Sequence, residues 1–283
     1  MLDVISIPAE PPREIRARAR ADIIGSLREL WRRRELIRVL TTRDFIARYK
    51  QTFLGVGWSV LAPLAIVLAL SLFLRRFTNP RTGGAPYELW TFTGLIPWSF
   101  FSGALSAGVV CLLANQPLLN KVRCPREVFP FAAVALTAID TLISVLTLSV
   151  MFAVTTTLPS STAYWVPVIA LAQVPAVFGI AVLGAIVVVY LRDLRNIVPL
   201  ILQFGLFVTP IAFGLEQVPS RWRLLYCFAN PVAPIIDSYR RVLLLDQAPQ
   251  WRLLGAGAIS GVVLFVVAMK AFRKYERGIA DLI

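Results

Sequence analysis

Asp140 is the one carboxylate set well inside a long apolar run, in the stretch Ala138-Ile139-Asp140-Thr141-Leu142. An acid in that position has two readings. It lines a pathway or fixes a helix contact, or it is held locally, neutral or hydrogen-bonded to Thr137 or Thr141. Either way it must face protein or water, because a carboxylate in the middle of a spanning helix costs about 2.5–3.5 kcal/mol. No second acid lies inside an apolar run to share its proton, so a carboxylate dyad is excluded. The chain has no histidine, and Cys111, Cys124 and Cys227 lack CxxC spacing. That removes a Cys/His zinc site and a Ser-His or Cys-His nucleophilic pair. Its lysines are Lys50, Lys121, Lys270 and Lys274, and none follows a glycine. A phosphate-binding loop needs Gly-Lys-Ser/Thr. We therefore expect no catalytic, cofactor or metal residue in this chain. If its work consumes ATP, a separate polypeptide binds the ATP and magnesium.

The cations form the second pattern. Arg43, Arg48 and Lys50 stand just before Phe53–Leu74, a stretch of 22 residues with no ionisable side chain. A helix of roughly 20 residues crosses the hydrocarbon core of ~30 Å. Hydrophobic residues make up 57% of the chain and charged residues 16%, against about 25% in ordinary globular proteins. With a mean hydropathy of +0.70, this is a polytopic membrane protein. The net charge of +13 is grouped beside membrane segments, where it attracts anionic lipid, so nucleic acid is rejected as a partner.

Aromatic residues cluster at Trp90, Phe92, Trp98, Phe100 and Phe101. They serve as interface anchors, channel or helix contacts, or flat faces for stacking sugar rings. The loop Asn115–Pro130 holds three cations and three prolines, with room for one short helix around Leu118–Val122. It is a docking element for a cytoplasmic partner or an ordinary basic loop. Gly257 and Gly261 make a GxxxG match of the kind that lets helices approach closely.

These groups are carried by six apolar runs, at 53–74, 89–114, 128–155, 165–190, 197–215 and 253–272. The fifth is short and contains Pro199 and Pro210. Residues 1–22 are rich in proline and arginine and are expected to be mobile. Residues 23–52 read as a cytoplasmic interfacial amphipathic helix, with Leu27, Leu30 and Trp31 on one stripe and arginines opposite. Residues 53–272 form the transmembrane domain and 273–283 a short cytoplasmic tail. No apolar run precedes Phe53, so a cleavable signal peptide is not expected. With both termini inside, 21 Lys and Arg lie inside and 8 outside, in line with the positive-inside rule. Without the N-terminal segment the counts are 9 and 8, so that segment decides the orientation. Between runs five and six, Glu216–Gln250 carries apolar pieces too short to span, broken at Asn230-Pro231 and Pro234. That pattern predicts an external re-entrant helical hairpin, with its loop backbone covered by protein or a polar cavity.

Several blocks then resemble one family. RELIRVLTTRDFIARYKQTFLGVGWSVLAPL (Arg34–Leu64), FTGLIPWSFFSGAL (Phe92–Leu105) and NQPLLNKVRCPREVFPFAAV (Asn115–Val134) are similar to blocks of polysaccharide-export permeases of the ABC-2 type. So are YLRDLRNIVPLILQ (Tyr190–Gln203) and VPSRWRLLYCFANPVAPIIDSYRRVLL (Val218–Leu244). The likeness covers Leu30 to Arg273, with Cys124 standing where an aromatic or small residue is expected. The resemblance implies an all-α fold of six transmembrane helices, a homodimer in the bacterial inner membrane, and two copies of a separate nucleotide-binding ATPase. It implies that Leu118, Leu119, Lys121, Val122, Arg123 and Arg126 dock on that ATPase. It also implies an external gate at Arg221, Trp222, Asn230, Pro231, Arg240 and Arg241. The cargo it implies is a polysaccharide, O-antigen or another surface glycan, on a polyprenyl-diphosphate lipid, with Arg43, Arg48 and Lys50 near the headgroup entry. Export of a drug or simple lipid by the same architecture is the alternative. A membrane-embedded enzyme that modifies glycolipids fits less well, since clustered acids are missing.

Overall fold

The computed structural model describes residues 23–50, 54–78, 82–121 and 125–282. The segment 1–22 expected to be mobile lies outside them, as do Val122, Arg123 and Cys124. The regular structure of the described residues is helical, with no strand among them. Helix α1 spans Ile23–Arg32 and α2 spans Arg34–Tyr49. The single helix expected over this stretch is broken at Arg33, whose ψ of 15° leaves the helical region. A 3₁₀ turn at Gly55–Gly57 leads into α3, Trp58–Thr78. Then come α4 (Tyr87–Ala114), the six-residue α5 (Gln116–Lys121) and α6 (Val128–Val154). A 3₁₀ turn at Ser161–Trp165 precedes α7, Val166–Tyr190. Helices α8 (Leu194–Val208), α9 (Ser220–Ala229), α10 (Val232–Leu244) and α11 (Trp251–Leu282) complete the chain. The last helix continues ten residues beyond Phe272, where its apolar run ends.

Among the described residues, five helical stretches are long and apolar enough to cross a membrane: Gly55–Phe73, Tyr87–Ala114, Val128–Val154, Ser161–Tyr190 and Trp251–Tyr275. The fifth run of the sequence becomes α8, of 15 residues. At 1.5 Å per residue that is about 22 Å, short of the hydrocarbon core. The helix passes through Pro199 and stops before Pro210. Thr209 is extended, at φ −80° and ψ 142°, as a proline requires of the residue before it.

The bundle is closed by small residues. A Cβ on Gly108 would come within 2.5 Å of the Ala181 carbonyl oxygen, and one on Gly179 within 2.7 Å of the Phe265 amide. The backbones of α4, α7 and α11 therefore touch, which is how membrane helices gain dispersion energy without a hydrophobic driving force. The GxxxG pair is used inside the subunit. Gly257 faces Pro234 of α10, and Gly261 faces Ala176 of α7. One apolar cluster around Val109, Leu112, Phe129, Val188, Met269 and Phe272 gathers at one end of the bundle. A second, around Phe92, Leu95, Ile211 and Ile236, fills the end against which α10 packs.

Candidate functional site

Helix α2 follows the first turns of α6. Thr41 Oγ1 donates to the Ala132 carbonyl at 3.4 Å, and Arg48, two turns further along α2, reaches Asp140, two turns further along α6. The two helices therefore run side by side in the same direction for about 12 Å. The end of α2 and the middle of α6 supply the site. Arg48 Nη1 donates to Asp140 Oδ2 at 2.6 Å, and the Tyr49 hydroxyl donates to Oδ1 at 2.5 Å. Ser59, in the first turn of α3, lies 2.6 Å from the Tyr49 oxygen. Since the phenol gives its proton to Asp140, Ser59 is the donor there, and the three groups form a polarised chain. Burial first, and then the bond to Asp140, push the Tyr49 phenol above its ordinary pKa, so it stays a neutral donor.

This chain opens on a cavity of about 550 Å³, lined also by Ser99, Ser106, Thr137, Thr141 and Ser144. These hydroxyls stand in a mixed chamber halfway along α6, beside Trp58, Ala62, Pro63 and Val110. Thr141 and Ser144 return their protons to carbonyls one turn earlier, leaving oxygen lone pairs available. The local reading of Asp140 gives way to a longer link, because its carboxylate is held by α2 and not by Thr137 or Thr141. Arg43 and Arg48, expected near a headgroup entry, both have protein partners. Arg43 donates to Asn115 Oδ1 at 2.6 Å and to Asp44 Oδ1 at 2.8 Å. Lys50 is exposed at the end of α2.

Asn115 begins the loop expected to dock a partner. It also donates Nδ2 to the Cys111 carbonyl, which ties α2, the end of α4 and the loop together. Leu118 and Leu119 of α5 are half-buried against the apolar cluster, and Lys121 ends the helix. Arg126 is half-buried beyond it. Next to it, buried Glu127 accepts from Ser26 at 3.2 Å and faces Arg273 at 3.7 Å, while Arg273 also donates to Ser26. Nothing in the sequence pattern singled out that triad. Three segments far apart in the chain bring it together.

At the other end, the residues expected in an external gate fall into two groups. Arg240 is only 3% exposed. Its Nε donates to the Trp90 carbonyl, Nη1 to Pro210 and Phe213, and Nη2 to Ile211, at 2.5–3.2 Å. Its Cζ stands 3.2 Å from the centre of the Trp90 ring. The carbonyls of Pro210, Ile211 and Phe213 lie where α8 has ended and the backbone runs free, while that of Trp90 lies in the first turn of α4, and a guanidinium's fan of five N–H groups reaches all four. Gly94 leaves room for the Arg240 head, since a Cβ there would collide with Nη2. Asn230 donates to Thr209 Oγ1 at 2.9 Å and accepts from the Val232 amide at 3.2 Å, setting the bend at Pro231. Arg241 donates to the Ala248 carbonyl. By contrast, Arg221 and Trp222 are exposed. Trp90 and Trp98 are buried, Trp98 against Gly205 of α8, while Phe100 and Phe101 are half-buried. A sequence signal for Arg240 did exist. Ala233, Ile236 and Arg240 share one face of α10, so the arginine continues the buried stripe.

Comparison with known proteins defines the class. Residues 35–244 match the model of the ABC-2 type transporter family. The chain belongs to the ABC-2 type transporter family and is a multi-pass membrane protein, a transport subunit that works with an ABC ATPase. Its relatives include the O-antigen export system permease protein RfbA of Myxococcus xanthus, 28% identical over 92% of this chain and 99% of that protein. RfbA of Klebsiella pneumoniae is 26% identical over 88% of this chain and 95% of its own length. The polysialic acid transport protein KpsM of Escherichia coli is 21% identical over 85% and 93%.

Proposed function

We propose that this chain is the membrane permease of an ATP-driven exporter that moves a polysaccharide, carried on a polyprenyl-diphosphate lipid, across the bacterial inner membrane. The observation that carries the reading is likeness along nearly the whole chain to permeases named for O-antigen and polysialic acid export. A homodimer of this chain with two ATPase copies, which supply ATP and magnesium, is the working assembly. Six crossings with both termini in the cytoplasm suit it best. The sixth is α8, lengthened by the non-helical stretch after Val208, and α9 with α10 forms the external hairpin. Helix α1 and the start of α2 lie at the cytoplasmic interface, and the end of α2 dips beside α6 to Asp140.

In this reading α5 and the following residues dock on the ATPase. Its motion reaches the chamber by two routes, Asn115 to Arg43 on α2 and Glu127 to Ser26 and Arg273. The chamber hydroxyls suit a hydroxyl-rich or phosphate-bearing cargo, and the position of Arg48 suits a role near headgroup entry. Deleting the chain should leave lipid-linked glycan in the cytoplasmic leaflet, and re-expression should clear it. Lys121→Glu with Arg126→Glu should keep ATP hydrolysis while transport stops. Full transport in the charge-reversed variant removes the docking assignment, and absence of glycan accumulation in the deletion removes the cargo. Stronger ATPase stimulation by small amphiphiles than by glycolipid would favour drug or simple-lipid export.

A further inference from the structure

The arginines of the hairpin connection run against the positive-inside rule. Arg221, Arg223, Arg240, Arg241 and Arg252 all lie on the side away from the termini in the proposed orientation, and that side should be poor in them. The structure accounts for three. Arg240 and Arg241 are held by carbonyls as described, and Arg223 donates to the carbonyls of Glu216 and Val218. Arg221 and Arg252 have no hydrogen-bond acceptor or carboxylate among the described residues. Arg221 only rests over the Trp222 ring, its Cζ 5.2 Å from the centre.

Both open onto one cavity of about 600 Å³, lined by Ser220, Arg221, Arg223, Gln250, Trp251 and Arg252, with no acid in its wall. The cavity also lies between two helix starts. Helix α9 begins at Ser220 behind Pro219, with no side-chain cap, and α11 begins at Trp251. First-turn amides and the positive ends of two helix dipoles add to three guanidinium groups. Beside it, Trp222, Leu225 and Phe228 form an exposed stripe along α9, and Trp251 is also exposed. Tryptophan beside unpaired arginine is the composition of a membrane–water boundary.

We propose that this cavity binds a phosphate group at the outer membrane surface, with Arg221 and Arg252 as its principal ligands. The phosphate is that of an anionic lipid headgroup, with its chains lying along the Trp222–Phe228 stripe, or a diphosphate released toward that face. The two sources share one chemistry. The leaflet rests on the orientation proposed above, but the binding does not, so the two can fail separately.

The test uses the full transporter with its ATPase, carrying Arg221→Gln with Arg252→Gln, and a Lys/Lys pair as the charge-keeping control. Native mass spectrometry counts retained dioleoylphosphatidylglycerol against dioleoylphosphatidylcholine, and a second arm adds inorganic pyrophosphate as competitor. The wild type should retain phosphatidylglycerol in preference. The Gln pair should lose about ten-fold in retention, and the Lys pair less, with assembly and basal ATP hydrolysis unchanged. Displacement by pyrophosphate assigns the site to a diphosphate, and resistance to it assigns the site to the lipid. Equal retention in wild type and Gln pair, with no effect of pyrophosphate on either, overturns the proposal. So does loss of the dimer with lipid retention intact, which would give these arginines to contact between subunits.

Discussion

Arg240 and Arg48 each fasten a peripheral helix to the central bundle, yet they are held in different ways. Arg240 meets four carbonyls and an aromatic face, with no carboxylate in hydrogen-bond contact, and is sealed from solvent. Arg48 meets one carboxylate, and its side chain is 42% exposed beside the chamber. A guanidinium taken fully out of water is strongly penalised, and only a complete set of acceptors offsets that cost. Such a contact has no intermediate setting. A partly exposed ion pair contributes little net energy and is exchanged cheaply. The first therefore fixes the hairpin to α4 and to the end of α8. The second is a contact that a transport cycle, or a charged headgroup, could open.

The largest expected effect is at the fixed contact. Arg240→Leu leaves the carbonyls of Trp90, Pro210, Ile211 and Phe213 without these donors and should destabilise the subunit by about 3–5 kcal/mol. Thermal unfolding of the detergent-solubilised complex measures this. Arg240→Lys should recover only part, because an ammonium is a point donor and cannot fan over four acceptors. A leucine variant as stable as wild type would erase the distinction between the two regions. Next comes Gly94→Ala, whose methyl enters the space of the Arg240 head and should cost about 1–3 kcal/mol by the same assay. In the Arg240→Leu background that penalty should shrink, since the obstructing group is gone.

At the breakable contact, stability and function should separate. Asp140→Asn keeps a hydrogen-bonding oxygen but loses the charge, and should cost only about 0.5–1 kcal/mol. Transport of lipid-linked glycan in reconstituted vesicles should nevertheless fall clearly. A double-mutant cycle with Arg48→Gln should give a coupling energy of about 0.5–1 kcal/mol. Coupling of several kcal/mol would make this contact as rigid as Arg240. Wild-type transport in Asp140→Asn would leave the link purely structural.

The sequence carried the membrane class, five long apolar helices and the two short helices broken at Asn230-Pro231, because each is written in local apolar length and in proline position. Asp140 stood out for the same reason, as a charge where hydropathy forbids one. Its partners were hidden. Arg48 is one of six arginines on α1 and α2 between Arg28 and Arg43 and beyond, and nothing local distinguishes the one that reaches α6. Ser26, Glu127 and Arg273 are ordinary polar residues near helix ends until folding brings them together. The break at Arg33 was also illegible, since Trp31-Arg32-Arg33-Arg34 contains neither glycine nor proline. Only part of the fifth run is helical, because hydropathy continues past Thr209 while the helix stops at Val208.

The smallest effect tests whether the C-terminal end of α10 shares the fixity of Arg240 one turn before it. Asp246 follows that helix in the left-handed region, at φ 51°, where aspartate and asparagine are tolerated and most side chains are strained. It accepts from Ser161 Oγ at 2.7 Å and from the Thr162 amide at 3.3 Å, tying the hairpin to the turn before α7. The Ser161 hydrogen bond, more than any other contact, lowers its carboxyl pKa below the ordinary value. A lowered carboxylate contributes fully above its unfolded pKa of about 3.9 and loses that contribution as pH falls through the folded value. Hydrogen exchange over residues 158–164 should therefore stay slow down to about pH 4 and quicken below it, relative to intrinsic rates. Asp246→Asn preserves the backbone geometry and removes the titration, so its exchange should lose that acid step. Exposure keeps the effect small, and although burial raises the carboxyl of nearby Asp237, the carbonyls that hold Arg240 do not titrate, so those hydrogen bonds should hold over the same range. If both regions loosened together in acid, Asp246 and Arg240 would belong to one cooperative unit, and the division into fixed and breakable contacts would have to be redrawn around the whole hairpin.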